Sequence, residues 1–155
     1  MLRRIRVSVL LFEGTQVLVV KMQNDRGCSY VLPGGGLEPG ESIYDAAIRE
    51  VKEETNLDVR IITMGYFKEL YTADEEAIDI VLIGERMGGT LRVGYDPEDG
   101  PVSRLKDVKF VDAAKLSSLE FHPRQLALRL LSDLQESFKQ CPVHLGRFAY
   151  PERAT

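Results

Sequence analysis

The sequence predicts a single α/β domain in which blocks of strands alternate with helices. Three observations lead to this class. Short aliphatic and β-branched runs bounded by turn residues predict strands, a capped amphipathic segment near the middle predicts one helix, and an apolar-periodic segment near the end predicts another. The chain has 155 residues and 44% hydrophobic content, which is enough for one domain with its own core.

The first strands lead into a glycine-rich loop. Residues 4–12 and 16–22 are rich in aliphatic side chains, and the turn residues Glu13-Gly14-Thr15 join them, so they predict a hairpin. Residues 29–32 predict a short third strand. This strand delivers Pro33 and the three glycines that follow it.

The central helix is predicted from its caps and its periodicity. Ser42 is a good N-cap, and Asp45 stands where a capping box needs an acceptor, so the helix is expected to begin at Ile43. Asn56 tolerates the left-handed conformation that ends many helices, and Leu57 can fold back on the last turn. One arc of the helix is apolar and is expected to face the core: Ile43, Tyr44, Ala47, Ile48 and Val51.

More strands are expected after this helix, followed by a final helix. An acidic turn at residues 73–76 separates them, and residues 94–107 form a loop rich in Gly, Pro and acids. Residues 112–119 predict a helical turn, and residues 123–139 predict the second long helix. The expected strands are residues 57–62, 64–70, 78–83, 91–93 and 108–111.

The domain is expected to cover residues 1–140, with a tail at residues 141–155. The tail contains two prolines and shows no periodicity, so it is predicted either to be disordered or to dock on a neighbour.

Composition excludes several classes of function. The net charge of −4 and the pI near 5.3 argue against nucleic acid and anionic membranes as partners. Cys28 and Cys141 stand in no C-x-x-C pair, so neither a disulfide framework nor a zinc site is expected. No signal peptide and no apolar run of roughly 18 residues is found, and we expect a cytoplasmic protein.

Three carboxylates cluster in the C-terminal half of the predicted central helix. Glu50, Glu53 and Glu54 are spaced at i,i+3 and i,i+4, so they share one sector beside the buried stripe. Each like-charge pair with Glu50 is unfavourable by roughly 0.2–0.5 kcal/mol, and the helix dipole disfavours anions at this end. The alternative is a solvated acidic face. A hard cation such as Mg²⁺, or Mn²⁺ in its place, would offset both penalties, so the cluster predicts a metal site.

The glycine loop supplies a complement to these acids. Gly34, Gly35 and Gly36 have no side chains, so their backbone groups can approach a ligand closely, and one carbonyl can serve as a further metal ligand. No Ser, Cys or His nucleophile is evident beside the cluster. The chemistry expected of such a site is metal-assisted attack by water on a phosphate group.

The loop and helix together resemble the Nudix box, whose 23-residue pattern is G-x5-E-x7-R-E-U-x-E-E-x-G-U with U aliphatic. The chain matches eight of the nine specified positions. The departure is Asn56, which stands where the family has Gly and which can adopt the same left-handed backbone. The matching positions are Gly35, Glu41, Arg49, Glu50, Val51, Glu53, Glu54 and Leu57.

The resemblance implies the Nudix fold, an α/β/α sandwich around a mixed β-sheet, and a Mg²⁺-dependent pyrophosphohydrolase that cleaves a nucleoside diphosphate linked to another moiety. Arg49 would orient the carboxylates with Glu41 as its partner, and Glu98 would be the base if that group lies in the later loop, with Asp99 next. The implied metal site consists of Glu50, Glu54, Glu53 as ligand or base, and the carbonyl of Gly34 or Gly35.

Several points stay open at this stage. A nucleotide is the expected small-molecule partner, but the marks of particular Nudix substrate classes were not found outside the box. A homodimer is left open. The rival function is a nucleotide-binding regulator that keeps the Nudix fold without catalysis.

Overall fold

The computed structural model describes residues 1–149, which form a mixed sheet with one α-helix on each face. The predicted α/β class with a mixed sheet between helices is confirmed. No helix within these residues is long and apolar enough to cross a membrane. The elements are β1 Leu2–Glu13, β2 Gln16–Asn24, β3 Gly27–Val31, β4 Gly34–Gly36, α1 Ile43–Thr55, β5 Leu57–Tyr71, β6 Glu75–Gly89, β7 Leu105–Asp112, α2 Arg124–Gln135 and β8 Val143–Ala149.

Strand β1 lies near the middle of the sheet and pairs with β2, β4 and β6. The strand order is β3-β2-β1-β6-β5-β8, with β4 paired to β1 and β7 paired to β2. β1 runs parallel to β6, and β5 runs parallel to β8, whereas the other pairs are antiparallel. The glycine strand β4 therefore lies against one edge of β1 and the long strand β6 against the other.

Alternating side chains of β1 divide the core between the two faces of the sheet. Val7, Val9 and Leu11 pack against α1, while Leu10 points to the opposite face and packs with α2. This alternation follows from the two-residue period of a strand. The even-numbered residues of β1 consequently share the face that α2 partly covers.

Helix α1 has the predicted ends but only part of the predicted buried stripe. The Ser42–Asp45 capping box is present, and Asn56 has the left-handed backbone with φ 62°. The predicted burial of Tyr44 and Ile48 is wrong, because they are 52% and 41% exposed. The helix packs instead through a set of residues shifted around its axis: Ala46, Ala47, Glu50, Val51, Glu54 and Thr55.

The later elements differ from the prediction in three ways. Residues 57–62 and 64–70 form one strand, β5, whose register shifts around Thr63 and Gly65 let it bend without breaking. Residues 91–93 are not a strand, because this segment turns to the end of α1, where Arg92 N–H bonds to the Thr55 carbonyl. Helix α2 ends at Gln135, before the predicted residue 139.

The chain continues the sheet beyond residue 140, where the sequence placed the end of the domain. Residues 143–149, for which disorder or docking was left open, form β8 and pair with β5. His144 stacks on Phe67 with ring centroids 4.8 Å apart, and Arg147 lies over the Tyr71 ring at 4.3 Å. The rest of the predicted tail, residues 150–155, lies outside the described residues.

Asn56 does more than cap the helix. Its Nδ2 donates to the Thr90 carbonyl at 2.8 Å, and its Oδ1 accepts from Arg92 at 3.2 Å. Asn56→Gly should keep the left-handed turn but lose both bonds, so we expect a loss of about 1 kcal/mol in the free energy of unfolding in urea. Asn56→Val should lose more, because it gives up the backbone conformation as well. Wild-type stability of Asn56→Gly would contradict a role for the side chain.

Candidate active site

The candidate site lies where the glycine strand β4 meets the C-terminal half of α1. Gly35 packs directly on Glu50, so that a β-carbon at this position would overlap the Glu50 carboxylate. The absence of a side chain at Gly35 is therefore what admits the carboxylate. Glu50 is 5% exposed and Glu54 is 3% exposed. The acids thus line a contact between helix and glycine backbone, and a fully solvated acidic face is wrong for these two.

Arg49 joins the loop and the acids. Its guanidinium makes a two-pronged ion pair with Glu41 at 2.6 and 2.9 Å, which is the contact predicted from the sequence. The same group donates to Glu50 at 2.9 Å, to Glu53 at 3.3 Å and to the Gly36 carbonyl at 3.1 Å. A planar guanidinium can serve these acceptors together because its donors are held in a fixed fork.

The Glu54 carboxylate is buried, and its two oxygens differ in their partners within residues 1–149. Its carboxylate accepts a hydrogen bond from the Gly34 backbone amide. Among the residues that the structure describes, Oε2 is buried and has no hydrogen-bond partner. A buried acceptor left in this state is expensive, and native proteins rarely keep one without a reason.

The pairing of β4 with β1 determines which glycine carbonyl is available. Two hydrogen bonds flank the strand: Val9 N–H to the Pro33 carbonyl at 2.9 Å and Leu37 N–H to the Ile5 carbonyl at 3.1 Å. Since bonded and non-bonded pairs alternate in an antiparallel ladder, the Val7–Gly35 pair is bonded and the Gly35 peptide groups face β1. Those of Gly34 and Gly36 face α1. The Gly36 carbonyl accepts from Arg49, which leaves the Gly34 carbonyl as the candidate ligand.

The segment after β6 brings a carboxylate that the sequence reasoning missed. Backbone amides of Gly94 and Tyr95 donate to the last carbonyls of α1, at Glu54 and Glu53, and so hold this segment against the acid cluster. The charge of Asp96 raises the pKa of all three glutamates, which places it beside them. Nothing local in the sequence marked Asp96, because these backbone contacts join residues about forty positions apart.

The two later acids that the sequence favoured have other partners. Glu98 forms an ion pair with Arg4 at 3.6 Å and is half exposed. The Asp99 side chain is fully buried against Arg104 at 2.6 Å. Asp99 therefore fixes the loop and does not face a substrate, whereas Glu98 is accessible.

Burial is the largest cause of the raised pKa values of Glu50, Glu53 and Glu54. It raises the pKa of Glu50 to about 7, although Arg49 opposes the change, and it also raises the pKa of Glu53. Burial raises the pKa of Glu54 well above its usual value, and the negative charges of Glu50 and Asp96 raise it further. Ionisation of these carboxylates is therefore unfavourable in the protein alone. A positive charge nearby would lower their pKa values and stabilise the charged forms.

A model of the NUDIX domain matches residues 2–130 of this chain. The chain belongs to the Nudix family. The matched range contains the glycine strand, the whole of α1 and the loop that carries Asp96, so every part of the candidate site lies inside the Nudix domain.

Particular Nudix proteins resemble the chain in sequence and in fold. It is 31% identical over 121 residues to the ADP-ribose pyrophosphatase of Methanocaldococcus jannaschii, covering 76% of this chain and 66% of that protein. It is 28% identical over 110 residues to the NAD-capped RNA hydrolase NudC of Vibrio atlanticus, covering 71% of this chain and 38% of that protein. These matches span 66% and 38% of the two relatives' lengths. The solved NUDIX hydrolase from Nitrosomonas europaea shares the fold with a TM-score of 0.74 at 18% identity, covering 97% of this chain and 81% of that one.

The residues of the Nudix site fit a divalent cation. The unpartnered Glu54 Oε2, the Glu50 carboxylate and the Gly34 carbonyl are oxygen donors of the kind that Mg²⁺ prefers. Within residues 1–149, no three carboxylate, imidazole or thiol groups are gathered closely enough to hold a metal by themselves. Mg²⁺ is commonly held by one or two carboxylates, with water and substrate phosphates completing its shell, so an all-protein cage is not required.

The raised pKa values predict how the stability of the metal-free protein depends on pH. Because folded Glu50, Glu53 and Glu54 hold protons more tightly than in the unfolded chain, their contribution is present below pH 4.5 and is lost as the pH rises through their raised pKa values, which for Glu50 is about 7. For Glu50 the change is on the order of 3 kcal/mol.

Calorimetric melting in EDTA at pH 5 and pH 8 measures this effect, with Glu50→Gln as the control whose pH dependence should be weaker. Equal pH dependence in the two proteins would contradict the assignment of the buried titration to Glu50.

Proposed function

We propose that this chain is a divalent-metal-dependent hydrolase of phosphoric anhydride bonds that acts on a nucleoside diphosphate linked to another group. The observation that carries the proposal is the buried Glu54 carboxylate, which meets the Gly34 amide and whose Oε2 has no hydrogen-bond partner among residues 1–149. Nudix hydrolases generally need a divalent metal. Mg²⁺ is the proposed cation, and Mn²⁺ is the alternative.

In this proposal Glu50, Glu54 and the Gly34 carbonyl hold the cation. When bound, the cation supplies the positive charge that neutralises phosphate oxygens and favours ionisation of the attacking water. Glu53 is 22% exposed at its side chain, more than Glu50 or Glu54, so it is the glutamate that can meet solvent. It serves either as a further ligand or as the base that accepts a proton from the water.

Arg49 and Glu41 act on the site by holding its carboxylates in place. Arg49 contacts Glu50 and Glu53 and is itself held by Glu41, so the pair keeps both carboxylates at fixed places beside β4. Asp96 adds negative charge on the side of the later loop. Glu98 remains the accessible candidate in that loop for the base, because its side chain is 50% exposed next to Arg4.

A substrate panel tests the proposal. Nucleoside di- and triphosphates, ADP-ribose, sugar nucleotides and dinucleoside polyphosphates would be incubated with Mg²⁺, and released mononucleotide or phosphate would be measured. ADP-ribose is included because the Methanocaldococcus relative is named for it. We expect Mg²⁺-dependent turnover of at least one small nucleotide and none in EDTA.

Two other outcomes would change the proposal. Tight binding of one nucleotide with no turnover of any would support the regulator over the enzyme. A short NAD-capped RNA belongs in the panel because the Vibrio relative is named for that activity. Turnover of this RNA alone would make the predicted absence of a nucleic-acid partner wrong.

A further inference from the structure

A buried polar cluster lies on the face of the sheet opposite α1, and its member Ser8 is next to the glycine strand. Ser8, Lys68 and Asp79 come from the adjacent strands β1, β5 and β6 and are only 7%, 9% and 4% exposed. The strand register aligns Arg6, Asp79 and Lys68 in one row across the sheet. The proposed metal-binding carboxylates belong to α1, which packs on the other face of the sheet.

The cluster is held together by direct contacts. The Ser8 hydroxyl donates to Asp79 at 3.0 Å, and the Lys68 ammonium lies 3.2 Å from the other Asp79 oxygen. Burial alone would raise the pKa of Asp79, but Lys68, Arg6 and Ser8 together lower it below its usual range. The carboxylate therefore stays charged.

Stability alone is a weak reason to keep such a cluster. Burying two paired charges carries a desolvation penalty that offsets much of the free energy of their attraction. Packed apolar side chains of similar volume often stabilise a fold as well or better.

Ser8 connects the cluster to the metal-binding backbone. It pairs with Gly34 across β1 and β4, and a β-carbon on Gly34 would lie 3.0 Å from the Ser8 Oγ. The Gly34 amide in turn donates to Glu54. Ser8 is therefore both bonded to Asp79 and the strand neighbour of Gly34, whose amide meets Glu54.

The composition of β4 makes such support necessary. The strand consists of three glycines, so it has no side chains with which to anchor itself, and its strand pairing is with β1. Glycine also has the greatest backbone freedom of any residue. The groups that pack against β4 must therefore fix where its carbonyls and amides point.

We propose that Asp79 is a positioning residue of the cation site: by fixing the Ser8 hydroxyl against Gly34, it holds the Gly34 carbonyl and the Glu54 carboxylate where they bind the metal. The inference rests on the proposed function. Neighbouring groups that orient metal ligands typically change metal affinity or activity by roughly 10–100-fold when they are removed.

The test measures metal binding without substrate. Asp79→Asn keeps the shape and should weaken Mn²⁺ binding about tenfold in a calorimetric titration, with a smaller Mn²⁺-induced rise in melting temperature. Because this change leaves the buried Lys68 without its counter-charge and can prevent folding, Ser8→Ala is the second variant. It retains the ion pair, removes only the link to Gly34, and should also weaken Mn²⁺ binding.

Asp133→Asn is the matched control. Asp133 is another buried carboxylate on the same face, bonded to the Tyr66 hydroxyl and to Arg129, each at 2.6 Å. Its loss should lower the melting temperature and leave the Mn²⁺ affinity at the wild-type value. If Asp79 had a purely structural role, Asp79→Asn, Ser8→Ala and Asp133→Asn would all lower the melting temperature and leave the Mn²⁺ affinity at the wild-type value.

The outcomes separate the inference from the proposed function. Wild-type Mn²⁺ affinity in Ser8→Ala, and in Asp79→Asn if it folds, would overturn the positioning role while wild-type binding and turnover leave the proposed function intact. Absence of Mn²⁺ binding and of turnover in the wild-type protein would overturn the proposed function itself, and the inference with it.

Discussion

Replacing Glu54 by Gln is expected to reduce turnover by about 100-fold or more while leaving the metal-free protein as stable as the wild type. The loss follows because the change removes a proposed ligand, and a metal centre supplies several kcal/mol of charge stabilisation in the transition state. The stability should persist because burial raises the pKa of Glu54 and so disfavours its charged form without metal, and Gln keeps the shape of the side chain without that charge. Relief of the repulsion with Glu50 would add a few tenths of a kcal/mol.

The measurements are turnover at saturating Mg²⁺ and the melting temperature with Mg²⁺ and with EDTA. In the wild type, Mg²⁺ should raise the melting temperature by binding the folded state, and Glu54→Gln should lose most of that rise. Glu136→Gln is the control, because Glu136 is an exposed residue paired with Lys139. Wild-type turnover in Glu54→Gln would rule out the metal-site assignment.

Replacing Arg49 by Lys is expected to lower turnover by roughly 10–100-fold and stability by about 2 kcal/mol. Lys keeps the positive charge but has a single ammonium group. It cannot reproduce the paired contacts to Glu41 together with those to Glu50 and Glu53. The buried Glu50 carboxylate would then lose a partner, and the loop that carries Glu41 would lose its link to α1.

Steady-state kinetics and urea unfolding measure the two effects of Arg49→Lys. Arg60→Lys is the matched control, since Arg60 forms an ion pair with Glu85 at an exposed site. Exposed pairs contribute little, so this control should behave like the wild type. If Arg49→Lys loses stability but keeps full turnover, Arg49 pins the loop without orienting the carboxylates.

The parts of the site that the sequence predicted are those set by local physics. The capping box of Ser42 and Asp45, the left-handed Asn56 and the i,i+3 and i,i+4 spacing of the acids all involve residues within one or two helical turns. The contact between Arg49 and Glu41 spans eight residues, and the resemblance to the Nudix box implied it. Such features depend on the neighbours of a residue and little on the rest of the fold.

The parts that the sequence did not reveal depend on contacts between distant segments. Asp96 reaches the acids because residues 94 and 95 bond to the end of α1. Asp79 looked like one polar residue in an apolar strand, and its partner Ser8 lies 71 residues away. The strand at residues 143–149 has no strong alternation of its own, and it forms because β5 offers it an edge.

The most direct test of the account is an anomalous difference map from crystals of the protein grown with Mn²⁺. The account predicts a peak bounded by the carboxylates of Glu50 and Glu54 and the carbonyl of Gly34, and it predicts that this peak disappears in Glu54→Gln. An absence of bound Mn²⁺ at these groups in the wild type, or a peak held by other residues alone, would contradict it.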